Sequence, residues 1–385
     1  MYILKLIFRN TFRHKLRTLL TILGVTIAIL TFTILRTLVN AWYAGVEASS
    51  PARLITRNSI SLTFHLPIAY KERISRTPGV KSVSYATWFS GIYISEKNFI
   101  PNFAIDPETF LGLYPEYLLP EDQKNAFLRD RTAAVAGRKV AERFNWKVGD
   151  TVPLTGTIYP GTWNFILRGI YDGAELDTDE TQLFFHWEYL NEQLKKTASH
   201  RADHVGIYII GITNPALASE VSEAIDNMFQ NSLAETMTET EKSFQLGFIA
   251  MTEAIVVVIQ LISFMVILII MAVVANTMVM TERERIGEYA IMKALGFGGR
   301  HLAIIIFGES LVITMAGCIA GIALAFPAAG IFRELIGMYF PVFTISTLTI
   351  LVDIATSIMV AMIAALFPAS RAIQIRVAEG LRRIG

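Results

Sequence analysis

The sequence has very little cysteine and little charge. Its single cysteine, Cys318, excludes a disulfide scaffold and any metal site built from several cysteines. Charged residues make up 17% of the 385 residues, against about 25% in an ordinary globular protein, and hydrophobic residues make up 53%. The formal net charge is +1, and no basic soluble domain is available for a nucleic acid. The composition therefore indicates a membrane protein and excludes nucleic acid as a partner.

The motifs of nucleotide binding and catalysis are also missing. Neither a G-x-x-x-x-G-K-[ST] phosphate loop nor a G-x-S-x-G nucleophile motif occurs. His186, His200 and His204 do not form an H-E-x-x-H zinc motif, and we interpret them as ordinary histidines. The acidic run at residues 172–180 lacks the glycine and the closing glutamate of a calcium-binding EF-hand loop. We therefore predict that the chain is not an enzyme and binds no metal or cofactor.

Four segments are long and apolar enough to cross a membrane. A spanning helix needs about 20 apolar residues, because the hydrocarbon core is ~30 Å thick. The segments cover residues 18–35, 254–280, 302–332 and 345–366; the third contains one charged residue, Glu309, and the fourth contains one, Asp353. The first could instead be a cleaved signal peptide, but its core is long for one and no A-x-A cleavage site follows.

Basic residues predict how these segments are oriented. Lys and Arg near membrane-spanning segments collect on the cytoplasmic side. Residues 1–17 contain five, residues 281–301 contain four, and the tail from Arg371 onward contains four. With four spans, all three regions lie on one side. We therefore predict a multi-pass protein of the cytoplasmic membrane with both termini in the cytoplasm and the acidic residues 42–253 outside.

The predicted fold class is an α-helical membrane protein with four transmembrane helices and a large α+β extracytoplasmic domain inserted between helices 1 and 2. In chain order we predict, up to the second span, an amphipathic helix at the cytoplasmic interface (1–17), a first transmembrane helix with a stalk (18–41), the extracytoplasmic domain (42–245) and a stalk with the second transmembrane helix (246–280). After it we predict a cytoplasmic helix and turn (281–301), a third transmembrane helix (302–332), a short external turn (333–344), a fourth transmembrane helix (345–367) and a cytoplasmic tail (368–385).

Residues 1–17 carry two periodic stripes. Basic side chains recur every four residues, at Lys5, Arg9, Arg13 and Arg17. Apolar side chains recur beside them, at Leu4, Phe8, Phe12 and Leu16. This pattern is typical of a helix lying in the membrane interface, although a plain basic flank of the first span is an alternative.

The external domain alternates between strand and helix patterns. Candidate strands lie at 80–85, 132–135, 151–154, 164–170, 182–185 and 205–212. Candidate helices lie at 67–77, 138–144, 187–196 and 215–230. Such a mixture predicts a domain with a hydrophobic core of its own.

Residues 281–297 combine charge with helical periodicity. Polar residues stand at Glu282, Arg283, Glu284, Arg285, Glu288 and Lys293, and they alternate with Ile286, Ala290, Met292 and Leu295. Gly296 then ends the pattern. We predict a short amphipathic helix continuous with the second span; a charged connecting loop is the alternative.

This segment resembles the coupling-helix signature of the MacB/FtsX-like permeases of ABC transporters, T-E-R-x-R-E-I-G-x-x-K-A-L-G-A. The residues that follow it, with small offsets, are Thr281, Glu282, Arg283, Arg285, Ile286, Gly287, Lys293, Ala294, Leu295 and Gly296. Glu284, Glu288 and Phe297 depart from it. Residues 368–382 resemble the closing motif of the family, and residues 134–154 resemble its external core domain.

The resemblance implies a permease subunit of an ABC transporter in the inner membrane of a bacterium. ATP hydrolysis by a separate ATPase subunit, present in two copies and binding ATP and Mg, would drive motion of the external domain (mechanotransmission). The cargo exported or extracted would be a lipoprotein, peptide, toxin or amphiphile. The alternative is an FtsX-type regulator that activates an external cell-wall hydrolase without moving cargo. The large external domain favours transport.

The resemblance also assigns roles to residues. The ATPase contact would comprise Glu282, Arg283, Arg285, Ile286, Glu288, Met292, Lys293, Gly296 and Phe297, with Arg371 and Arg382 of the tail beside it. Independently of the resemblance, the spacing of Gly317 and Gly321 favours close helix packing or dimerisation with a second permease subunit, of the same or a related chain, and we group Glu309 with them. A periplasmic adaptor protein is a further candidate partner.

Overall fold

The computed structural model describes residues 2–47, 49–98, 100–175, 178–336, 340 and 342–375. The chain divides into two compact units. The helical unit consists of Met1–Asn40, Glu253–Leu335 and Phe343–Gly385, and the α/β unit consists of Ala41–Thr252 and Ile336–Val342.

The described residues form thirteen α-helices and thirteen strands. The helices are α1 Tyr2–Thr11, α2 Lys15–Glu47, α3 Tyr70–Ser75, α4 Pro107–Leu113, α5 Glu121–Arg129, α6 Arg138–Phe144, α7 Trp187–Thr197, α8 Ala218–Phe229, α9 Glu241–Met251, α10 Glu253–Glu284, α11 Ile286–Ala294, α12 Gly299–Ile336 and α13 Thr347–Gln374. The strands are β1 Arg53–Asn58, β2 Leu66–Pro67, β3 Val80–Trp88, β4 Gly91–Ile92, β5 Asn102–Ile105, β6 Tyr117–Leu118, β7 Ala133–Gly137, β8 Thr151–Gly156, β9 Gly161–Gly173, β10 Leu183–His186, β11 His204–Val205, β12 Ile207–Ile212 and β13 Thr236–Thr240.

Four of these helices, α2, α10, α12 and α13, are long and apolar enough to cross a membrane. Each has 28 residues or more, and their most apolar windows have mean hydropathies of 2.2 to 3.1. About 20 residues suffice for a span. The α/β unit is inserted between the first and the second of these helices, so the predicted fold class is confirmed.

The four long helices share one apolar core in the helical unit. Val25 of α2, Val274 of α10 and Val360 of α13 are buried together in it. Asp353 of α13 is also buried, and the hydroxyl of Thr33 donates a hydrogen bond of 2.9 Å to its Oδ2. A buried carboxylate with a hydroxyl donor is far less costly than one without a partner.

The α/β unit is organised around a mixed sheet of 11 strands within the described residues. The order is β13-β1-β12-β3-β5-β10-β7-β9-β8-β4, with β6 paired to β9. Strands β5 and β10 run parallel, as do β7 and β9, and the other pairs are antiparallel. Successive side chains of a strand point to opposite faces, and accordingly Phe184 and Phe185 are buried in two different apolar clusters.

Each candidate strand from the sequence overlaps a strand of the structure, and each candidate helix overlaps a helix. The elements not identified from the sequence are β1, β2, β4, β5, β6, β13, α4 and α5. Strand β13 consists largely of polar residues (TMTET), and α5 buries a single side chain, Phe127. Elements with so little apolar periodicity are recognisable only from their tertiary partners.

Candidate functional site: the junction of α10, α11 and α12

The 281–297 segment is a helix with one break rather than a loop. The N–H of Arg285 still bonds to the carbonyls of Thr281 and Glu282, at 3.2 and 3.1 Å, so α10 passes into α11 with little interruption. After α11, Gly296 adopts φ +95°, a conformation that favours glycine. The N–H of Phe297 donates to the Met292 carbonyl at 3.0 Å, which completes a glycine-based helix ending.

Arg285 is buried at this junction between two carboxylates. Its Nη1 lies 2.6 Å from Glu309 Oε1 on α12, and its Nε lies 2.9 Å from Glu288 Oε2 on α11. The side chains of Arg285 and Glu309 are 6% and 3% exposed. Buried charges require partners of opposite sign. The sequence analysis assigned Arg285 to the ATPase contact and Glu309 to packing, and the structure brings the two together inside the subunit.

Glu288 joins this pair to the N-terminal region. The guanidinium of Arg13 forms an ion pair with its Oε1. Burial favours the neutral carboxylic acid, but hydrogen bonds from Arg285 and Arg13 outweigh this effect and lower the pKa of the Glu288 carboxyl. Arg17 adds a second connection through hydrogen bonds of 2.6 and 2.8 Å to Glu284. Two residues of the N-terminal basic stripe are therefore engaged with the 281–297 segment.

The N-terminal region differs in detail from the predicted helix over 1–17. Helix α1 ends at Thr11 and α2 begins at Lys15, so the two helices are separated by a short turn. The side chains of Phe8, Phe12 and Leu16 are exposed. In the sequence pattern they belong to the apolar stripe, whose first member, Leu4, lies outside the side chains that the structure describes.

Helix α11 is also anchored to α12 and α13. Tyr289 is buried in a cluster with apolar side chains of α12 and α13, namely Leu302, Ile306, Ala365, Ala369 and Ala372. Lys293 donates hydrogen bonds of 2.6 and 2.9 Å to the carbonyls of Ile373 and Ile375. A cation is favourable at a helix C-terminus because the last carbonyls are unpaired there. Lys293 therefore holds α11 against the end of α13.

The exposed apolar face of α11 differs from the predicted one. Ala290 is fully buried, and Ile286 and Met292 are partly buried. The exposed apolar side chains are Ile291, Leu295 and Phe297, of which Leu295 is 74% exposed. In the last turn of α10, Arg283 is exposed and Glu282 is buried. In the sequence, this apolar face is indicated by the spacing of four residues between Ile291 and Leu295, because residues four apart lie on the same side of a helix.

Gly317 and Gly321 lie against α2 of the same subunit. A Cβ atom at Gly317 would collide with Val25, and one at Gly321 would lie 2.8 Å from the Cβ of Ile29. Small residues at this spacing let two helix backbones approach closely. The structure thus places both glycines in packing within the chain.

The remaining predicted positions are more peripheral. Arg371 is exposed, with its guanidinium 5.2 Å from the ring centroid of Phe367. Arg382 and Asp177 lie outside the described residues. Among the described residues no group of three His, Cys, Asp or Glu side chains is placed to hold a metal. The ring of His186 is buried and lies 2.8 Å from the Phe127 carbonyl, and burial lowers the pKa of this histidine.

Comparison with known proteins identifies two regions. The MacB-like periplasmic core domain matches residues 18–228, which is more than half of the chain, and the FtsX-like permease C-terminal region matches residues 260–377. No curated protein matches the chain.

Several solved structures are similar to part of this chain. The periplasmic region of MacB from Actinobacillus actinomycetemcomitans is 11% identical, with a TM-score of 0.38 over 53% of this chain and 95% of that one. The extracellular domain of the noncanonic ABC-type transporter YknZ from Gram-positive bacteria is 12% identical, with a TM-score of 0.37 over 49% of this chain and 100% of that one. A domain of a putative permease protein from Porphyromonas gingivalis is 14% identical, with a TM-score of 0.34 over 49% and 88%.

The family matches follow the order of the fold. The first spans α2 and most of the α/β unit, and the second spans most of α10 and all of α11, α12 and α13. Membership of this family implies an ABC ATPase partner and a dimeric assembly. The chain belongs to the family of MacB/FtsX-like ABC transporter permeases.

Proposed function

We propose that this chain is the permease subunit of a bacterial inner-membrane ABC transporter and that it transmits force from a separate ATPase to its own external domain. The proposal places both termini and α11 in the cytoplasm and the α/β unit outside. The basic residues of α1, of the 281–301 segment and of the tail support this orientation. ATP and Mg would bind in the ATPase, since the sequence contains no phosphate loop.

The construction of α11 is the observation that carries the proposal. Helix α11 and the turn that follows it offer an exposed apolar patch, defined by Ile291, Leu295 and Phe297, on which a soluble partner could pack. The opposite face of the helix is fixed by Tyr289 and Lys293 to the ends of α12 and α13. A force applied to the patch would therefore be transmitted to α12 and α13, because α11 contacts both of them directly.

Ion pairs extend this connection to the first span. Arg285 joins α11 to α12, while Arg13 and Arg17 join the N-terminal helices to Glu288 and Glu284. Helix α2 is one uninterrupted helix from Lys15 to Glu47, so a displacement at its first turn is carried along its length. We propose that ATP-driven closure of two ATPase subunits moves two permease subunits in this way. Export or extraction of an amphiphile, lipoprotein, peptide or toxin would follow outside the membrane.

Replacing Leu295 with lysine tests the patch. Lysine is favourable near a helix C-terminus, so α11 should remain folded, whereas a charge in the centre of an apolar contact should weaken ATPase binding at least about tenfold. The measurement is the amount of ATPase that co-purifies with the permease. Leu233→Lys is the control, because Leu233 is fully exposed in the α/β unit. Equal ATPase recovery with both variants would contradict the proposal.

A further inference from the structure

The α/β unit contains a large open cavity of about 1340 Å³. Its lining includes the last turns of α2, one side of α9 along its length and the segment that follows α4. Pockets for small molecules usually measure roughly 300–1,000 Å³. The volume is therefore sufficient for a molecule with a long hydrocarbon chain.

Aromatic side chains form much of the cavity wall. Trp42, Tyr114, Phe244, Phe248 and Phe340 all line it. The ring of Trp42 lies 5.1 Å from that of Phe340, and the rings of Phe244 and Phe248 are 5.1 Å apart. Such a wall removes apolar surface of a ligand from water, and aromatic faces also attract cations.

The charge of the lining is negative. Its acidic members are Glu47, Glu116, Glu175, Asp179 and Glu241, whereas its basic members are Arg53 and Lys81.

Arg53 does not offset the whole of this charge. It lies 2.7 Å from Glu116 and 2.8 Å from Glu241, and its guanidinium covers the ring of Tyr114 at 4.2 Å. Lys81 has no ion-pair partner among the described residues, and neither have Glu47, Glu175 and Asp179, so the unpaired acids outnumber the unpaired base. Their carboxylates leave the cavity attractive to a cation.

We propose that this cavity binds a cationic amphiphile, with its apolar chain against the aromatic wall and its ammonium group near Glu47 and Glu175. The inference rests on the proposed transport function and deepens it, since it names the charge and the amphiphilic character of the cargo. An anionic amphiphile would meet the carboxylates with like charge. A small polar cation would leave the aromatic wall exposed to water.

Fluorescence quenching of Trp42 tests this inference. The full-length permease is reconstituted in nanodiscs of phosphatidylcholine and titrated with 10-bromodecyltrimethylammonium, whose bromine quenches a nearby indole. The expected result is saturable quenching that is lost in Trp42→Phe. The same titration with 10-bromodecylsulfonate should give far weaker quenching. Equal quenching by both probes, or no component that depends on Trp42, would overturn the proposal.

Removing the negative charges of Glu47 and Glu175 is a second test of the proposal. Glu47→Gln combined with Glu175→Gln should weaken binding of the ammonium probe about fivefold at low salt, as expected for partly exposed ion pairs. High salt should reduce the difference, because it screens such pairs. Glu223→Gln is the matched control, since Glu223 is an exposed acid of α8 outside the cavity lining. Unchanged affinity in the double variant, with thermal unfolding like that of the wild type, would overturn the assignment of the cationic end.

The test separates this inference from the proposed function. Quenching is measured on the permease without an ATPase, whereas the Leu295→Lys experiment measures ATPase recovery without any cargo. Absent quenching with normal ATPase recovery would refute the cavity assignment alone. Saturable quenching with unaltered ATPase recovery in Leu295→Lys would refute the coupling role of α11 alone.

Discussion

At the scale of single residues, Arg285 has a structural role in the 281–297 segment. It satisfies two carboxylates, of which Glu309 is almost completely buried. The family resemblance assigned Arg285 to the surface that contacts the ATPase. The structure instead makes it an internal link between α11 and α12, so reversing its charge would damage the permease itself.

Arg285→Glu is therefore expected to destabilise the helical unit by about 3–5 kcal/mol, because it would leave Glu309 buried without a partner and close to like charges. Thermal unfolding of the purified protein and its amount in the membrane are the measurements. Arg283→Glu is the control, since Arg283 is exposed in the adjacent turn and its change should stay within about 0.5 kcal/mol. Similar stability of the two variants would show that the Arg285–Glu309 pair is unimportant.

At the scale of elements, the sequence was sufficient to locate the four spanning helices but not to orient the short helix. Apolar segments of about 20 residues are buried either in a membrane or in a protein core. Helix α11, in contrast, has apolar side chains on two faces. Burial of Tyr289 against α12 and α13 decides which face is inward, and such a tertiary contact is not encoded in local periodicity.

The glycines of α12 illustrate the same difference between pattern and contact. The spacing of Gly317 and Gly321 indicated close packing, but not whether the neighbour was α2 or a second subunit. Packing against Val25 and Ile29 assigns it to α2.

Gly317→Ala and Gly330→Ala should consequently change stability in opposite directions. At Gly317 the added methyl group would collide with Val25, and overpacking of this kind typically costs about 1–3 kcal/mol. At Gly330, in the same helix, a Cβ would meet nothing within 4 Å, so alanine should stabilise the helix by about 0.5–1 kcal/mol. The measurement is the thermal unfolding of both variants, compared with that of the wild-type protein. Stabilisation by both substitutions would exclude the tight α2–α12 contact.

At the scale of the whole molecule, the orientation that we propose in the membrane rests on the distribution of Lys and Arg. Cysteine labelling in intact cells, with the outer membrane permeabilised where one exists, is the test. Ser199→Cys is exposed in the α/β unit and should react with an impermeant thiol reagent. Arg283→Cys should react only after the cell is opened. The native Cys318 is buried and should contribute little background. Labelling of Arg283→Cys in intact cells would reverse the orientation.

The proposed transmission of force depends on direct contact between α11 and an ATPase. The most direct measurement is cross-linking from a photoreactive benzoylphenylalanine placed at Leu295 in the assembled complex. Leu261 is the matched control position, since it is an exposed leucine within the apolar run of α10. We predict that the photoreactive residue at position 295 forms an adduct with the ATPase and that the one at position 261 does not. Absence of an ATPase adduct from position 295, in a complex that retains the ATPase, would contradict it.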